Sequence, residues 1–171
     1  MTKEQFTSLI FPLRHKLYRY ALSIVYDATL AEDIVQEVFL KLWNKRRELA
    51  AIKNIEAWCI RLTRNAAYDK LKSSSRKVEQ LDAIAYSFVA NSYPDKEAEN
   101  ADLVDSIKDL LQDLPEKQQE IFRLRELLGY SNAEIEEILA LNRTQVKVNL
   151  FRARQKIKSK LLQLINYGLQ K

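Results

Sequence analysis

The sequence predicts an all-α protein, and three features of its 171 residues support that fold class. Glycine occurs only as Gly129 and Gly168, which disfavours hairpin-rich sheets and Gly-rich phosphate loops. Apolar residues make up 47% of the chain and recur at helical spacing, so a packed core can form. Capping and proline signals mark the starts of several of these helices.

The first 75 residues predict several amphipathic helices. One helix is predicted in AEDIVQEVFLKLW, where an apolar stripe runs from Ala31 to Leu42. Thr29, with Glu32 three residues later, matches a capping box at the start of this helix. A polar stretch from Asn44 to Asn54 follows. The next helix is predicted in IEAWCIRLTRNAAYDKLK, which mixes apolar residues with cations.

A linker is predicted at residues 76–97, between an N-terminal domain (1–75) and a C-terminal domain (98–171). A serine run precedes it, and Asn91-Ser92-Tyr93-Pro94-Asp95 interrupts any helical pattern within it. Its apolar stretch LDAIAYSFVA is compatible with a bare flexible linker or with a strip that docks on a domain. Both alternatives stay open at this point.

The C-terminal domain predicts helices that end in a helix-turn-helix. Pro115 suits the first turn of one helix, and Gly129 is expected to terminate it. Ser131 with Glu134 forms a capping box for the next helix, NAEIEEIL. A short turn then leads into a basic helix, which is the arrangement of a DNA-reading helix-turn-helix.

The basic helix predicts one buried face and one cationic face. Residues 142–171 contain eight Lys/Arg and no Asp/Glu, whereas residues 101–141 contain four Lys/Arg and ten Asp/Glu. The residues expected on the buried face are Val146, Leu150, Ala153, Ile157, Leu161 and Leu164. The opposite face is suited to phosphates and base edges, in preference to a solvated tail or a membrane-surface helix.

Other functional classes find little support. With one cysteine and one histidine, Cys59 and His15, the chain offers neither an internal disulfide nor a structural zinc site, and no cofactor or metal is expected. No nucleophile–base arrangement or phosphate loop suggests an enzyme. The first residues contain no apolar run that would serve as a signal peptide or membrane span, so we expect a cytoplasmic protein without membrane insertion.

The segment LPEKQQEIFRLRELLGYSNAEIEEILALNRTQVKVNLFRARQKIKSKL resembles region 4 of the extracytoplasmic-function (ECF) group of sigma-70 family sigma factors. AEDIVQEVFLKLW followed by NIEAWCIRLTRNAAYDKLK is similar to region 2 of the same family. The resemblance implies two small helical domains joined by a flexible linker. It also implies an alternative sigma factor that binds core RNA polymerase, recognises the −35 and −10 promoter elements and assists promoter melting.

The resemblance also implies roles for individual residues. Those expected to bind −35 DNA from the recognition helix are Arg143, Thr144, Gln145, Lys147, Val148, Arg152 and Arg154. Those expected to bind and melt −10 DNA are Arg46, Arg47, Lys53, Asn54, Trp58, Arg61, Arg64, Asn65 and Lys72. Those expected to bind the clamp coiled coil of the polymerase largest subunit are Asp33, Gln36, Glu37 and Lys41. The family also makes an anti-sigma partner plausible.

Some alternatives remain open on the residues themselves. Gln145 is placed either to read a base or to cap the helix with Asn142, and Val148 either to touch a thymine methyl or simply to be exposed. Ala140 stands in the turn where the family commonly has glycine, and Glu136 where it commonly has alanine. A regulator that uses only the helix-turn-helix is the second functional hypothesis, and the AEDIVQEVFLKLW block argues against it.

Overall fold

A computed structural model describes residues 1–80 and 105–168, and every regular element in these two ranges is helical. The predicted all-α class is therefore confirmed. The helices are α1 Lys3–Leu9, α2 Arg14–Val25, α3 Ala28–Asn44, α4 Ile55–Gln80, α5 in residues 105–111, α6 Glu116–Phe122, α7 Asn132–Leu139 and α8 Arg143–Gly168. Most of the predicted linker, including LDAIAYSFVA, lies outside the described residues.

The N-terminal module, residues 1–80, is built around α2, α3 and α4. Their buried faces bring together Leu17, Ile34, Leu42 and Ile60, all fully shielded from solvent. Short 3₁₀ turns at Phe11–Leu13 and Glu48–Ala51 connect the helices. Because α4 continues to Gln80, its last turn runs past residue 75, where the sequence analysis ended the first domain.

The start of α3 differs from the sequence prediction. Its N-cap is Asp27, whose Oδ1 accepts a hydrogen bond from the Leu30 amide at 2.7 Å. The helix begins at Ala28, so Thr29 lies inside the first turn and does not cap it. An Asp at N-cap satisfies one of the free amides of the first turn as well as Thr would, and Asp27 comes earlier in the chain.

The C-terminal module, residues 105–168, places α6 and α7 against α8. Pro115 is the N-cap of α6, one position before the first turn in which the sequence analysis placed it. The helix then widens into a π-helical turn, Arg123–Leu127, closed by the Leu128 amide bonding to the Arg123 carbonyl at 3.2 Å. Gly129 follows with φ of +76°, in the left-handed conformation expected of a residue that ends a helix.

The two modules share one hydrophobic core. Ile121, Leu124 and Ile135 of the C-terminal module belong to the same buried cluster as Leu17 and Ile60 of the N-terminal module. The contacts run between α4 and α7 and between α2 and the π-helical turn. A smaller cluster lies within the C-terminal module, and it contains Leu111, Leu114, Ala153 and Ile157.

The predicted apolar stripe of α8 is buried only over its first half. Val146, Leu150, Ala153 and Ile157 are shielded as expected. Leu161 and Leu164 were predicted to be buried but are 42% and 59% exposed. The contacts of α8 with other described residues reach Lys160, which binds the Asp109 carbonyl and the Asp113 carboxylate, and the apolar residues that follow it are exposed.

Candidate nucleic-acid and polymerase interfaces

The helix-turn-helix is held by caps at both of its helix starts. The Ser131 hydroxyl accepts from the Glu134 amide at 3.3 Å, and Glu134 Oε2 accepts from the Ser131 amide at 2.7 Å, which confirms the predicted capping box. In the same way, Asn142 Oδ1 accepts from the Gln145 amide at 2.9 Å. The Asn142 amide donates to Gln145 Oε1 at 3.0 Å, so the oxygen of this side chain is used to start α8.

Ala140, in the turn between these helices, adopts the left-handed conformation with φ of 52°. Its amide bonds to the Glu136 carbonyl and ends α7. Glycine occupies such positions without steric cost, whereas an alanine Cβ is crowded there. The departure from the family pattern noted in the sequence therefore corresponds to a strained backbone position next to the recognition helix.

The outer face of α8 carries the residues predicted to bind −35 DNA. All of them are exposed, namely Arg143, Thr144, Gln145, Lys147, Val148, Arg152 and Arg154. Arg154 differs from the others because its guanidinium binds Glu126 Oε1 at 2.8 and 2.5 Å. Within the described part of the chain, Arg143, Lys147 and Arg152 make no ion pair. These three cations are therefore free to meet phosphates.

The residues predicted to bind −10 DNA begin in the loop between α3 and α4. Arg46 stacks on Trp43, with 4.4 Å between the guanidinium carbon and the ring centroid, and donates to the Trp43 carbonyl at 3.0 Å. Arg47 and Lys53 are exposed. Asn54 caps α4, because its Oδ1 accepts from the Ala57 amide at 3.0 Å, while its Nδ2 donates to Glu137 Oε2 at 2.9 Å.

Along α4 the predicted −10 residues differ in exposure. Asn65 and Lys72 are exposed, and Trp58 is half-buried against the core. Arg61 is also half-buried, and its Nε has no hydrogen-bond partner within the described residues. Arg64 binds two carboxylates of the C-terminal module, Glu120 at 3.0 Å and Glu116 at 3.2 Å.

A buried polar cluster surrounds Glu120, whose side chain is 1% exposed. Arg123, 2% exposed, binds the other carboxylate oxygen of Glu120 at 2.9 Å. The hydroxyls of Tyr20 and Tyr68 donate to Glu120 from the N-terminal module. Burial and the neighbouring carboxylate both raise the pKa of Tyr20 and of Tyr68, so these hydroxyls stay protonated as donors. The carboxylate thus has a complete set of partners.

Arg123 also joins the two modules directly. Its Nε donates to the Ser23 carbonyl at 2.9 Å and its Nη2 to the Tyr26 hydroxyl at 3.0 Å. Burial would favour loss of its proton, but the charge of Glu120 raises the pKa of Arg123, and it stays cationic. The π-helical turn starts at this residue, and turns of this type are often found at functional sites.

A second set of cross-module contacts centres on Glu56 of α4. Lys16 binds Glu56 Oε1 at 2.6 Å, and the Tyr130 hydroxyl donates to the same oxygen at 2.6 Å. Partial burial pushes the pKa of Glu56 upward, but these two hydrogen bonds outweigh it and hold the pKa below its usual value. Arg19 adds a bond from its Nη2 to the Leu127 carbonyl at 2.7 Å.

The face predicted to bind polymerase lies on the exposed side of α3. Asp33, Gln36 and Lys41 are exposed. Glu37 binds Lys41 at 2.8 Å and Lys70 at 3.2 Å. The hydrogen bond from Lys41 lowers the pKa of Glu37 most, so the group is anionic. Gln36 lines a cavity of about 310 Å³ between α2 and α3.

Leu40 was not among the predicted site residues, although it is 64% exposed beside Lys41. An apolar residue on an outward helix face is hard to recognise in the sequence because this helix is apolar on its buried side as well. Glu120 and Arg123 were also missed. The sequence feature that could have indicated this contact is its charge distribution. Residues 101–141 carry an excess of acids and the N-terminal module is basic, which favours docking of the two modules.

The described residues, 1–80 and 105–168, offer neither a metal site nor a membrane span. No group of three or more His, Cys, Asp and Glu side chains lies close enough there to hold a metal ion. None of the helices in those ranges combines the length and the apolar character needed to cross a bilayer.

Comparison with known proteins gives matches in both modules. Residues 9–77 match the model of sigma-70 region 2, and residues 105–157 match that of sigma-70 region 4. The chain is 27% identical over 143 residues to the ECF RNA polymerase sigma factor SigM of Bacillus subtilis, covering 84% of this chain and 86% of that one.

The chain is also similar to one further curated relative and to one solved structure. The chain is 30% identical over 147 residues to the probable RNA polymerase sigma factor RfaY of Xanthomonas campestris, covering 84% of this chain but 37% of that one. Among solved structures, the sigma factor RpoE in its complex with the anti-sigma factor NepR, from Bartonella quintana, superposes with a TM-score of 0.72 at 26% identity. That superposition covers 92% of this chain and 97% of RpoE.

Proposed function

Because the chain belongs to the ECF group of sigma-70 family RNA polymerase sigma factors, we propose that it is a detachable initiation subunit of RNA polymerase. It binds core polymerase, directs it to promoters through the −35 and −10 elements, and assists melting of the latter. The observation that carries this proposal is the presence of region 2 and region 4 in one chain. A subunit of this kind carries out no bond chemistry itself.

The −35 element is bound by the outer face of α8. The half of this helix that lies against α6 and α7 is held by Val146, Leu150 and Ala153, which aims the opposite side outward. Arg152 and Lys147 neutralise phosphates or read base edges there. Since the oxygen of Gln145 is used in the helix cap, its amide nitrogen is the group left for a base.

The −10 element is bound by the loop before α4 and by the exposed side of that helix. Arg47, Lys53 and Lys72 are exposed cations that can follow a displaced strand. Trp58 and Asn65 supply an aromatic ring and an amide, the groups that stack on an unpaired base and hydrogen-bond to its edge.

Core polymerase binds the exposed side of α3. Asp33, Gln36, Glu37 and Lys41 form a polar surface there, and the cavity beside Gln36 can accept a protruding side chain of the clamp. The Lys70–Glu37 contact ties this surface to α4. Docking of polymerase is thereby coupled to the helix that binds −10 DNA.

The proposed role as an initiation subunit also suggests a division of the chain into domains, a location in the cell and a further partner. Residues 1–75 and 98–171 act as the polymerase-and-−10 domain and the −35 domain, with residues 76–97 as the linker. The working place is the cytoplasm, where RNA polymerase and promoter DNA are found. An anti-sigma factor is a proposed partner, because the solved relative RpoE is bound to one.

Run-off transcription with purified core polymerase tests the function directly. We expect the chain to elute together with core polymerase and to start transcripts on a subset of a genomic promoter library. The Gln36→Ala variant should associate more weakly with core polymerase, because it removes the amide at the cavity. Gln112→Ala changes an exposed glutamine of the other module and serves as the matched control.

The competing hypothesis, a regulator that uses the helix-turn-helix without polymerase, makes the opposite prediction. A chain that binds duplex DNA but does not associate with core polymerase at saturating concentration would favour it. Equal polymerase affinity of Gln36→Ala, Gln112→Ala and the unchanged chain would move the docking surface away from α3.

A further inference from the structure

We propose that Val148 determines promoter specificity by an apolar contact with the methyl group of one thymine in the −35 element. Phe151, one turn further along α8, shields this contact from water. The assignment rests on the proposed function, in which the outer face of α8 binds −35 DNA. It adds the chemical group that is read, the thymine methyl in the major groove, which distinguishes a T·A pair without a hydrogen bond.

Two apolar side chains stand on the otherwise polar outer face of α8. Val148 is 39% exposed and Phe151 is 63% exposed. Because they are three residues apart on a helix, they are neighbours on its surface. The helix packs on its module through Val146, Leu150 and Ala153, and Val148 lies nearly opposite Val146. The core of the module therefore requires neither of the two exposed side chains.

The amide side chains in the same turns are engaged by the helix itself. Gln145 Oε1 accepts from the Asn142 amide at 3.0 Å, and Asn149 Nδ2 donates to the Gln145 carbonyl at 2.8 Å. The bidentate recognition of adenine by Gln or Asn uses the oxygen and the nitrogen of one side-chain amide together. Gln145 and Asn149 each have one end tied to the helix backbone, so neither is oriented for that pairing.

The first turns of α8 therefore favour recognition of a T·A pair from its thymine side. The polar route to the adenine edge is occupied by the contacts of Gln145 and Asn149, whereas the apolar side chain of Val148 has no competing partner on the outer face. An apolar side chain against the 5-methyl group is the established way in which proteins recognise thymine in the major groove.

Cations on both sides of Val148 can hold the helix in the groove. Lys147 precedes it and Arg152 follows one turn later, and both are exposed and form no ion pair with a described residue. Contacts to phosphates fix the position of a helix on DNA but carry no sequence information. With the helix anchored in this way, Val148 is carried to the base edges between the anchored phosphates.

Deoxyuridine in place of thymine tests the contact, because it removes only the methyl group and leaves the hydrogen-bonding groups unchanged. Promoters found by run-off transcription with core polymerase supply the templates. Two templates that differ by one such replacement in the −35 element, and in transcript length, compete in one reaction. We expect one −35 position at which the unchanged chain prefers thymine by about fourfold, the effect of burying one methyl group.

Three variants locate the preference on the helix. Val148→Ala should bring the ratio of the two transcripts close to one, because the apolar partner of the methyl is removed. Phe151→Ala should lower the ratio without abolishing it, since water then reaches the contact. Leu162→Ala is the matched control and should keep the ratio, because Leu162 is 50% exposed on the same helix but lies about 21 Å further along it. Both templates share each reaction, so a change in the total activity of a variant cancels.

The outcomes separate this proposal from the proposed function. The absence of any −35 thymine whose methyl matters to the unchanged chain would overturn the proposal, while transcription itself would still support a sigma factor. An undiminished preference in Val148→Ala, or an equal loss in Leu162→Ala, would overturn it as well. If the unchanged chain starts no transcript with core polymerase on any promoter, the proposed function fails, and the role of Val148 fails with it.

Discussion

The two surfaces of this sigma factor that we propose to read DNA are in opposite states. On α8, the cations Arg143, Lys147 and Arg152 are exposed and pair with no other described residue. On the N-terminal module, Arg64 and Asn54 are bound to carboxylates of the C-terminal module. On the proposed assignments, a −35 element can bind while the modules are packed together, whereas a −10 element competes with the carboxylates that hold Arg64 and Asn54.

The difference arises from what lies opposite each surface. The second half of the chain gathers its acids before α8 and its cations on it. When the acidic part packs against the basic N-terminal module, its carboxylates neutralise that module's cations. Arg143, Lys147 and Arg152 of α8 are exposed and form no ion pair with a described residue, so their charge stays available to phosphates.

Loss of the Glu120 carboxylate, at the centre of the contact between the modules, should have the largest effect on the free energy of unfolding. Glu120→Ala leaves the 2% exposed Arg123 without its anion, and removing one partner of a buried ion pair costs about 3 kcal/mol or more. Urea unfolding measures the change. Glu116→Ala removes an exposed partner and should cost about 0.5 kcal/mol. Equal losses for the two variants would show that the buried pair contributes nothing special.

Loss of free cations on α8 should weaken −35 binding by a smaller amount. Arg152→Ala and Lys147→Ala should each lower the slope of log affinity against log salt by about one unit, because each removes one phosphate contact. Fluorescence anisotropy with a −35 duplex at several salt concentrations measures the slope. Lys156→Ala is the control, because Lys156 binds the Asp113 carbonyl. A slope unchanged in both test variants would move the DNA surface elsewhere on the helix.

Replacement of the strained turn residue should stabilise the −35 domain slightly. Ala140→Gly relieves the left-handed backbone and should raise the free energy of unfolding by about 1 kcal/mol. Ala133→Gly, on the exposed side of α7, should lower it by about 0.5 kcal/mol, since glycine weakens a helix. Thermal unfolding of both variants tests the opposite signs. A decrease for Ala140→Gly would mean that the turn needs the methyl group.

The smallest effect on stability at neutral pH is expected from the tyrosine hydroxyls that donate hydrogen bonds across the interface between the modules. The pKa values of Tyr20, Tyr68 and Tyr130 are raised above 10.0, first by burial and then by Glu120 or Glu56. Each hydroxyl with a raised pKa stabilises the packed form, and this contribution is complete at pH values below the usual tyrosine pKa of 10.0. The contribution is lost as the pH rises above 10.0. The modules should separate in alkali, as measured by fluorescence energy transfer between dyes on the two modules. Tyr20→Phe with Tyr68→Phe should shift that transition.

Local patterns in the sequence predicted much of the fold. The Ser131–Glu134 capping box, the termination at Gly129 and the buried start of the α8 stripe depend on neighbours a few residues away, and all three are found. Thr29 was assigned as a cap because Glu32 follows it at capping-box spacing, but Asp27 caps the helix. The apolar stripe of α8 is no longer buried at Leu161, because helical spacing in the sequence does not specify where a partner helix ends.

The packing of the modules could not be predicted in the same way. The bonds of Glu120 join residues up to 100 positions apart, and no local pattern identifies such partners. The π-helical turn that starts at Arg123 also lacks a local signal, since its residues favour an ordinary helix. The segregation of charge along the chain was the one feature of the sequence that indicated mutual attraction.

The exposed leucines at the end of α8 have a mechanical consequence. The helix is continuous over 26 residues, so it is a rod of about 39 Å at 1.5 Å per residue. Its first turns carry the residues that we propose to read DNA, and the apolar residues at its far end are exposed. A rotation of the whole C-terminal module by about 10° about this far end would move the first turn of the helix by about 7 Å, about two base-pair steps. A partner bound to the apolar end of α8 would therefore set the position of the residues in its first turn that we propose to read the promoter.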